Sequence, residues 1–179
     1  MKTIEDAVLV DPTPALLDEA LPMVRESAVS EGGFTSDARD VTQETFADYV
    51  RKLTDMAEGR NLPEGYVPMN TFWLRHEGRL IGISRLRLRL VPALRERGGH
   101  IGYWIRPSER RRGYGTLLLA LTCRQARAKG IRRVLLTCDA GNTGSRRIIE
   151  KNGGVPDPAD AGKPETETLH YWIDLTEKQ

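Results

Sequence analysis

The chain predicts a mixed α/β fold of the α+β kind, with a central, mostly antiparallel sheet flanked by helices. Three features predict it. Residues 71–105 carry three short strand-like runs separated by turn residues, the pattern of an antiparallel meander. Apolar residues at helical spacing precede and follow that region, as a layered design requires. Two polar, glycine-bearing turns, at 110–115 and 142–145, each stand between a strand pattern and a helix pattern. The length of 179 residues and net charge of +2 suit one compact domain over residues 1–179.

Val8 to Val10 reads as a first strand, stopped by Asp11-Pro12-Thr13-Pro14. Leu16, Leu17, Ala20, Leu21, Val24 and Ala28 then recur at helical spacing, with Pro22 predicting a kink or a break. Residues 31–34 read as a loop. Thr42, Thr45 and Phe46 open a second helix that runs through Tyr49, Val50, Leu53 and Met56 and stops before Gly59. Thr71 to His76, the turn Glu77-Gly78-Arg79, and Leu80 to Leu90 form a hairpin. Leu86, Leu88 and Leu90 alternate there with Arg85, Arg87 and Arg89, so one row is buried and the other wet. A basic loop after Pro92 leads to a third arm, His100 to Ile105, halted by Arg106-Pro107. Leu117, Leu118, Leu121 and Ala128 mark a helix over Gly115 to Lys129, with Gly130 as its stop. A strand (Val134 to Cys138), a short helix (Gly144 to Lys151), a loop (Pro156 to Thr168) and a last strand (Leu169 to Asp174) complete the order. No internal repeat or low-complexity segment interrupts it.

Charge is uneven. Residues 75–133 hold 16 Lys/Arg against 3 Asp/Glu, and the remainder holds 11 against 22, so the centre of the chain is built for an anion. The acidic start MKTIEDAVLV and the lack of a long apolar run predict a cytoplasmic protein with no signal peptide, no membrane span and no membrane partner. Cys123 and Cys138 fall in regular elements without a Cys-x-x-Cys spacing and read as buried thiols. His76, His100 and His170 show no metal-ligand spacing, so no metal is expected.

The chemistry is carried by Arg110-Arg111-Arg112-Gly113-Tyr114-Gly115. Two glycines at a strand-to-helix turn expose the amides and the positive dipole end of the helix, a cradle for phosphate. The sequence lacks both the Gly-x-x-x-x-Gly-Lys-Ser/Thr loop of nucleotide hydrolases and Gly-x-Gly-x-x-Gly with a later acid, so neither nucleotide hydrolysis nor dinucleotide redox chemistry is favoured. Asn142-Thr143-Gly144-Ser145 opens a second helix after a strand. The two junctions form one site if their strands lie side by side.

These motifs carry a resemblance. Arg110, Gly113 and Gly115 match the loop Gln/Arg-x-x-Gly-x-Gly/Ala, and Asn142-x-x-Ser145 with Glu150-Lys151-Asn152-Gly153 match a terminal helix; from His100 to Gly154 the chain resembles the GNAT superfamily of acyl-CoA-dependent N-acetyltransferases. The resemblance implies that the fourth and fifth strands splay apart and bind acetyl-CoA between them. It puts backbone contacts to the pantetheine arm on Tyr103, Trp104 and Ile105, the pyrophosphate on the amides of Arg111, Arg112, Gly113, Tyr114, Gly115 and Thr116, and Asn142 near the lower part of the arm. The arginines add Coulomb attraction, with one placed to reach the 3′-phosphate.

An amine acceptor is protonated near neutral pH, so acetyl transfer needs a route for that proton and a donor to the leaving thiolate. The resemblance places the N–H of Tyr103 at the developing oxyanion. It places the usual glutamate of the fourth strand at Gly99, whose neighbour His100 is chemically suited as base. The usual tyrosine acid falls on Ile149, while Ser145 resembles the serine of the ribosomal-protein N-terminal acetyltransferase branch and is a candidate to assist the thiolate. The reading is therefore an N-acetyltransferase moving an acetyl group to a primary amine by direct attack in a ternary complex. Its alternative is an acyl-CoA sensor or interaction module of the same fold, which the missing tyrosine favours. Nucleic-acid binding is disfavoured because the aromatics are not interleaved with the arginines. Residues from the two N-terminal helices, residues 31–34, Arg95-Glu96-Arg97 and the Pro156 to Thr168 loop are candidates to rim the acceptor site. A homodimer is compatible with the sequence, with Tyr171 and Trp172 on a candidate edge strand.

Overall fold

The computed structural model describes residues 3–27, 30–36, 38, 40–162, 164 and 167–176. Ala28, the last member of the first helical stripe, lies outside them. The chain runs β1 (Val8–Val10), α1 (Leu17–Arg25), β2 (Ser30–Glu31), β3 (Phe34–Thr35), α2 (Phe46–Glu58), β4 (Met69–His76), β5 (Arg79–Arg87), α3 (Pro92–Glu96), β6 (Ile101–Ile105), α4 (Tyr114–Ala128), β7 (Arg133–Asp139), α5 (Thr143–Lys151), β8 (Val155–Pro156) and β9 (Thr168–Asp174).

Among the described residues two larger sheets, ordered β1-β4-β5-β6 and β7-β9-β8, form beside the two-stranded β2-β3, with every strand pair antiparallel. Period-two alternation divides the first sheet between two cores. Trp73, Leu80, Ile83 and Trp104 pack under α1 and α2, against Ala20, Met23, Phe46 and Val50. On the opposite face, Leu74, Ile81 and Ile105 meet Tyr114 and Leu118 of α4, and Leu119 and Ala126 extend that contact to Phe72, Leu86 and the second sheet. Each fully buried large aliphatic or aromatic side chain contributes roughly 1.5–3 kcal/mol, so the sheet-to-helix layers hold the site's walls rigidly.

Several expectations change. Pro22 lies inside α1; its missing N–H does not end the helix. Residues 31–34 are no open loop but the centre of the β2–β3 hairpin, whose tip Gly32-Gly33 has φ +55° and +85°. Strand β5 ends at Arg87, not Leu90, and Leu88 is exposed. The basic loop contains α3, begun by Pro92. Residues Tyr171 and Trp172 pair with β7 on one side and with β8 on the other. They therefore do not form the edge that was expected to be available for a partner.

Between β6 and β7 the two sheets touch and then part. His100 N–H donates to Leu135 O at 2.7 Å, Leu135 N–H donates back to His100 Nδ1 at 2.9 Å, and Gly98 N–H donates to Thr137 Oγ1 at 2.8 Å. Gly99 has φ +61°, and a Cβ there would stand 2.4 Å from Leu135 O. Only glycine permits this approach. Beyond this clasp β6 has no strand partner on its β7 side among the described residues, and a cleft opens.

Candidate active site

The register of β5 and β6 decides which backbone groups face the cleft. Arg87 N–H donates to His100 O and Arg106 N–H to Ile81 O. With the pairing in between, Arg85–Gly102 and Ile83–Trp104 are hydrogen-bonded pairs, whereas Ser84–Tyr103 and Gly82–Ile105 are not. The N–H and C=O of Tyr103 therefore face away from β5. Trp104 departs from the expectation: its backbone is committed to Ile83, and its indole N–H donates to Glu31 Oε2 at 2.9 Å. Ile105 keeps its N–H for the cleft, while its carbonyl accepts from Arg110 Nε at 2.9 Å.

At one end the cleft widens to about 550 Å³ beside the glycine turn, lined by Arg111, Gly113, Gly115, Thr116, Asn142 and Lys151 among others. Gly113 caps α4 with φ +88° and Arg111 has φ +60°, so the turn holds its amides outward over the positive end of a 15-residue helix with no acid in its first turn. Thr116 N–H is excepted, because it donates to Gly113 O at 3.1 Å. Gly115 owes its identity to packing: a Cβ would stand 2.7 Å from Ile148 Cδ1 of α5. The side chain of Tyr114 is buried, its hydroxyl 2.8 Å from His76 Nδ1, leaving only its amide to the turn.

The three arginines are not equivalent. Arg110 grips Glu31 through both terminal nitrogens at 2.6 and 2.7 Å, and this holds the Glu31 carboxyl below the usual carboxylate range. Arg112 pairs with the buried Glu109, which also takes Arg79 at 2.9 Å. Arg111 is exposed and has no ion-pair partner among the described residues. The free positive charge at the turn is thus Arg111 with Lys151, a residue the sequence reading did not single out. Glu31 was not anticipated as the anchor of Arg110; nothing local in the sequence joins residues 79 positions apart.

At its other end the cleft narrows where α5 begins. Asn142 caps α5 by accepting the Ser145 N–H at 3.0 Å, which fixes the Ser145 hydroxyl 2.8 Å from Tyr103 Oη. Tyr103 Oη also donates to Ser145 O at 3.3 Å. Burial pushes the Tyr103 phenol well above its ordinary range, with the Ser145 hydrogen bond opposing, so the phenol keeps its proton. Burial likewise raises Cys138 to about 11 and Cys123 to about 12; both are buried free thiols.

Gly32, Tyr103 and Ser145 line a second space as well, of about 100 Å³, on the far side of the narrowing. Its wall brings together the β2–β3 hairpin, Arg97, Thr168, Thr137, Cys138 and Asp139. Residues from three of the four predicted rim segments therefore meet there, whereas α1 and α2 contribute none to its lining. His100 does not line it. Its ring accepts from Leu135 N–H, it is 8% exposed, and burial with Arg95 and Arg87 nearby lowers its pKa to about 4. The one carboxylate lining this space is Asp139, 3.0 Å from Arg97. Among the described residues no His/Cys/Asp/Glu group could hold a metal ion, and no described helix is long and apolar enough to cross a membrane.

Comparison with known proteins gives the family and the fold. Residues 8–155 match the acetyltransferase (GNAT) domain. No curated protein sequence matches the chain. Among solved structures, the microcin C7 self-immunity acetyltransferase MccE, in complex with acetyl-CoA and AMP, superposes with a TM-score of 0.66 at 12% identity, covering 96% of this chain and 94% of that one. RimL, a ribosomal L7/L12 α-N-protein acetyltransferase in complex with coenzyme A, gives 0.65 at 15% identity over 94% and 93%. Mycobacterium smegmatis RimJ, in complex with a CoA disulfide, gives 0.66 at 18% over 94% and 81%. These likenesses show the fold.

Proposed function

The chain belongs to the acetyltransferase (GNAT) family, and on that premise we propose that it is an N-acetyltransferase, moving an acetyl group from acetyl-CoA to a primary amine by direct attack in a ternary complex. The observation that carries the proposal is one cleft with two ends: the glycine turn lies at one, and Tyr103 and Ser145 stand at the other on the boundary with a second cavity.

The residues fit the donor. The outward amides from Arg111 to Gly115 suit a pyrophosphate, with Arg111 and Lys151 as the free charges beside it. The Tyr103 backbone and the Ile105 N–H are free to pair with the amides of an extended arm, as an added strand does. Acetyl-CoA supplies the thioester. The Tyr103 N–H faces the region where the carbonyl oxygen gathers negative charge. The Ser145 hydroxyl, held by the Tyr103 phenol, donates a hydrogen bond to the sulfur as the C–S bond breaks, and the stabilised thiolate leaves as such or takes its proton from water. Asp139 takes the proton that the amine releases, directly or through water. His100 acts as a structural clasp between the sheets rather than as base.

The sensor reading draws on the absent tyrosine at Ile149 and on the lack of a clear carboxylate on the family's fourth strand. The Ile149 side chain is 0% exposed, packed in the core; the Tyr103 phenol offers a hydroxyl at the junction from the opposite wall. Incubation with acetyl-CoA and an amine panel, followed by mass spectrometry, tests the function. N-acetyl product is expected, and tight CoA binding with no product on any amine favours the sensor.

A further inference from the structure

Arg85 and Arg87 stand two residues apart on β5 and so project to the same face. The alternation in this strand predicted that the arginine row would be wet. In the structure two members of that row, Arg85 and Arg87, line cavities. Both arginines border the small space containing Tyr103, Ser145 and Asp139, and both border a groove of about 710 Å³ running out beneath α2. The two spaces therefore meet at the guanidinium pair.

Three cations around these spaces have carboxylate partners. Arg97 holds Asp139 at 3.0 Å, Arg51 holds Asp48 at 2.8 Å and Arg60 holds Asp55 at 2.7 Å. Arg85 donates to Thr35 O at 2.8 Å and lies over the Phe34 ring. Arg87 differs. Its hydrogen bonds are two long ones from Nη1, to the carbonyls of Gly98 and Gly99, each 3.3 Å, and no carboxylate among the described residues pairs with it. Burial and the like charge of Arg85 lower its pKa. A mostly buried guanidinium beside another cation is unfavourable unless an anion joins it.

We propose that the acceptor is an amine carrying its own anion, a carboxylate or phosphate a few bonds from the nitrogen, and that Arg87 binds that anion. This rests on the acetyltransferase reading. The small space admits only a few heavy atoms, so the anion and the amine must be close together in the acceptor. Asp139 on the same wall suits the ammonium, and Met56, Tyr66, Val67, Met69 and Leu94 make the groove a bed for an apolar body. A guanidinium edge grips a carboxylate or a phosphate alike.

The test uses matched pairs with acetyl-CoA: leucine against leucinamide, phenylalanine against phenylalaninamide, phosphoethanolamine against ethanolamine, with spermidine as a purely cationic amine. The anionic member of at least one pair is expected to lead by tenfold or more in kcat/KM, and which pair does so separates carboxylate from phosphate. Where a pair is not turned over, the same order is read from thermal stabilisation of the CoA-saturated protein. Arg87→Met is expected to erase the preference, Arg87→Lys to retain part of it, and neither to change stabilisation by acetyl-CoA. Removing an unmatched buried charge leaves the unliganded Tm equal or higher. The proposal is overturned by equal or better use of neutral amines or spermidine, by a preference that survives Arg87→Met, by a Tm that Arg87→Met lowers, or by the absence of any anion-dependent stabilisation or turnover. Absence of stabilisation by acetyl-CoA itself would instead remove the acetyltransferase reading on which this one stands.

Discussion

Tyr103 Oη lies 2.8 Å from Ser145 Oγ, joining β6 to the first turn of α5 across the cleft. This pair stands where the two cavities meet, and the Tyr103 phenol is held protonated. Tyr103→Phe and Ser145→Ala are each expected to lower kcat by about 10–100-fold, near the lower end of what a positioned acid contributes. Acetyl-CoA binding should persist, because the backbone amides remain. The double variant should lose less than the product of the two, since the hydroxyls act as a unit. Full activity in Tyr103→Phe/Ser145→Ala, measured by steady-state kinetics, would remove the pair from the reaction.

His100 provides a pH signature of the fold. A histidine in the unfolded chain binds its proton below about 6.5, whereas folded His100 does so only below about 4. Between these values the unfolded state binds more protons, so its contribution of about 3 kcal/mol is present above pH 6.5 and lost as pH falls toward 4. His100→Asn keeps an acceptor oxygen at the Nδ1 position. It is expected to retain activity and to flatten the acid limb of the stability profile in urea melts; a variant that folds but has lost turnover would make His100 the base after all.

Gly113→Glu places a side chain at φ +88° and a carboxylate at the positive end of α4. Stabilisation by acetyl-CoA should disappear while circular dichroism still reports a fold. Unchanged affinity by calorimetry would take the phosphate away from this turn.

Asn142→Ala removes the cap of α5 and should cost about 1 kcal/mol of stability. Because the cap orients Ser145, kcat should fall along with Tm. Asn142→Asp keeps an acceptor oxygen and should restore both; a rescue of stability alone would show that the cap does not position Ser145.

Local pattern carried much of this. The glycine turn, the Asn142 cap, the β4–β5–β6 meander and the two N-terminal helices follow from residues within one or two turns of each other. What was illegible depends on long-range partners. The pairing of Arg110 with Glu31 and of Arg112 with Glu109 decides which arginine is free, and no spacing rule contains the first of these. His100 appeared suited to chemistry because its pKa is ordinarily near neutral; the clasp to Leu135 arises only once Gly99 lets two strands meet. Arg85 and Arg87 read as a solvated row because alternation gives faces, not what covers them. The β2–β3 hairpin and α2 turn that face into cavity wall.

The most direct test is thermal unfolding of the wild-type protein with and without saturating acetyl-CoA. At 100 times the dissociation constant a ligand adds roughly 2.7 kcal/mol, or about 5–10 °C for a chain of this size. That shift is what the cleft between β6 and β7 predicts. An unchanged Tm at millimolar acetyl-CoA would contradict it.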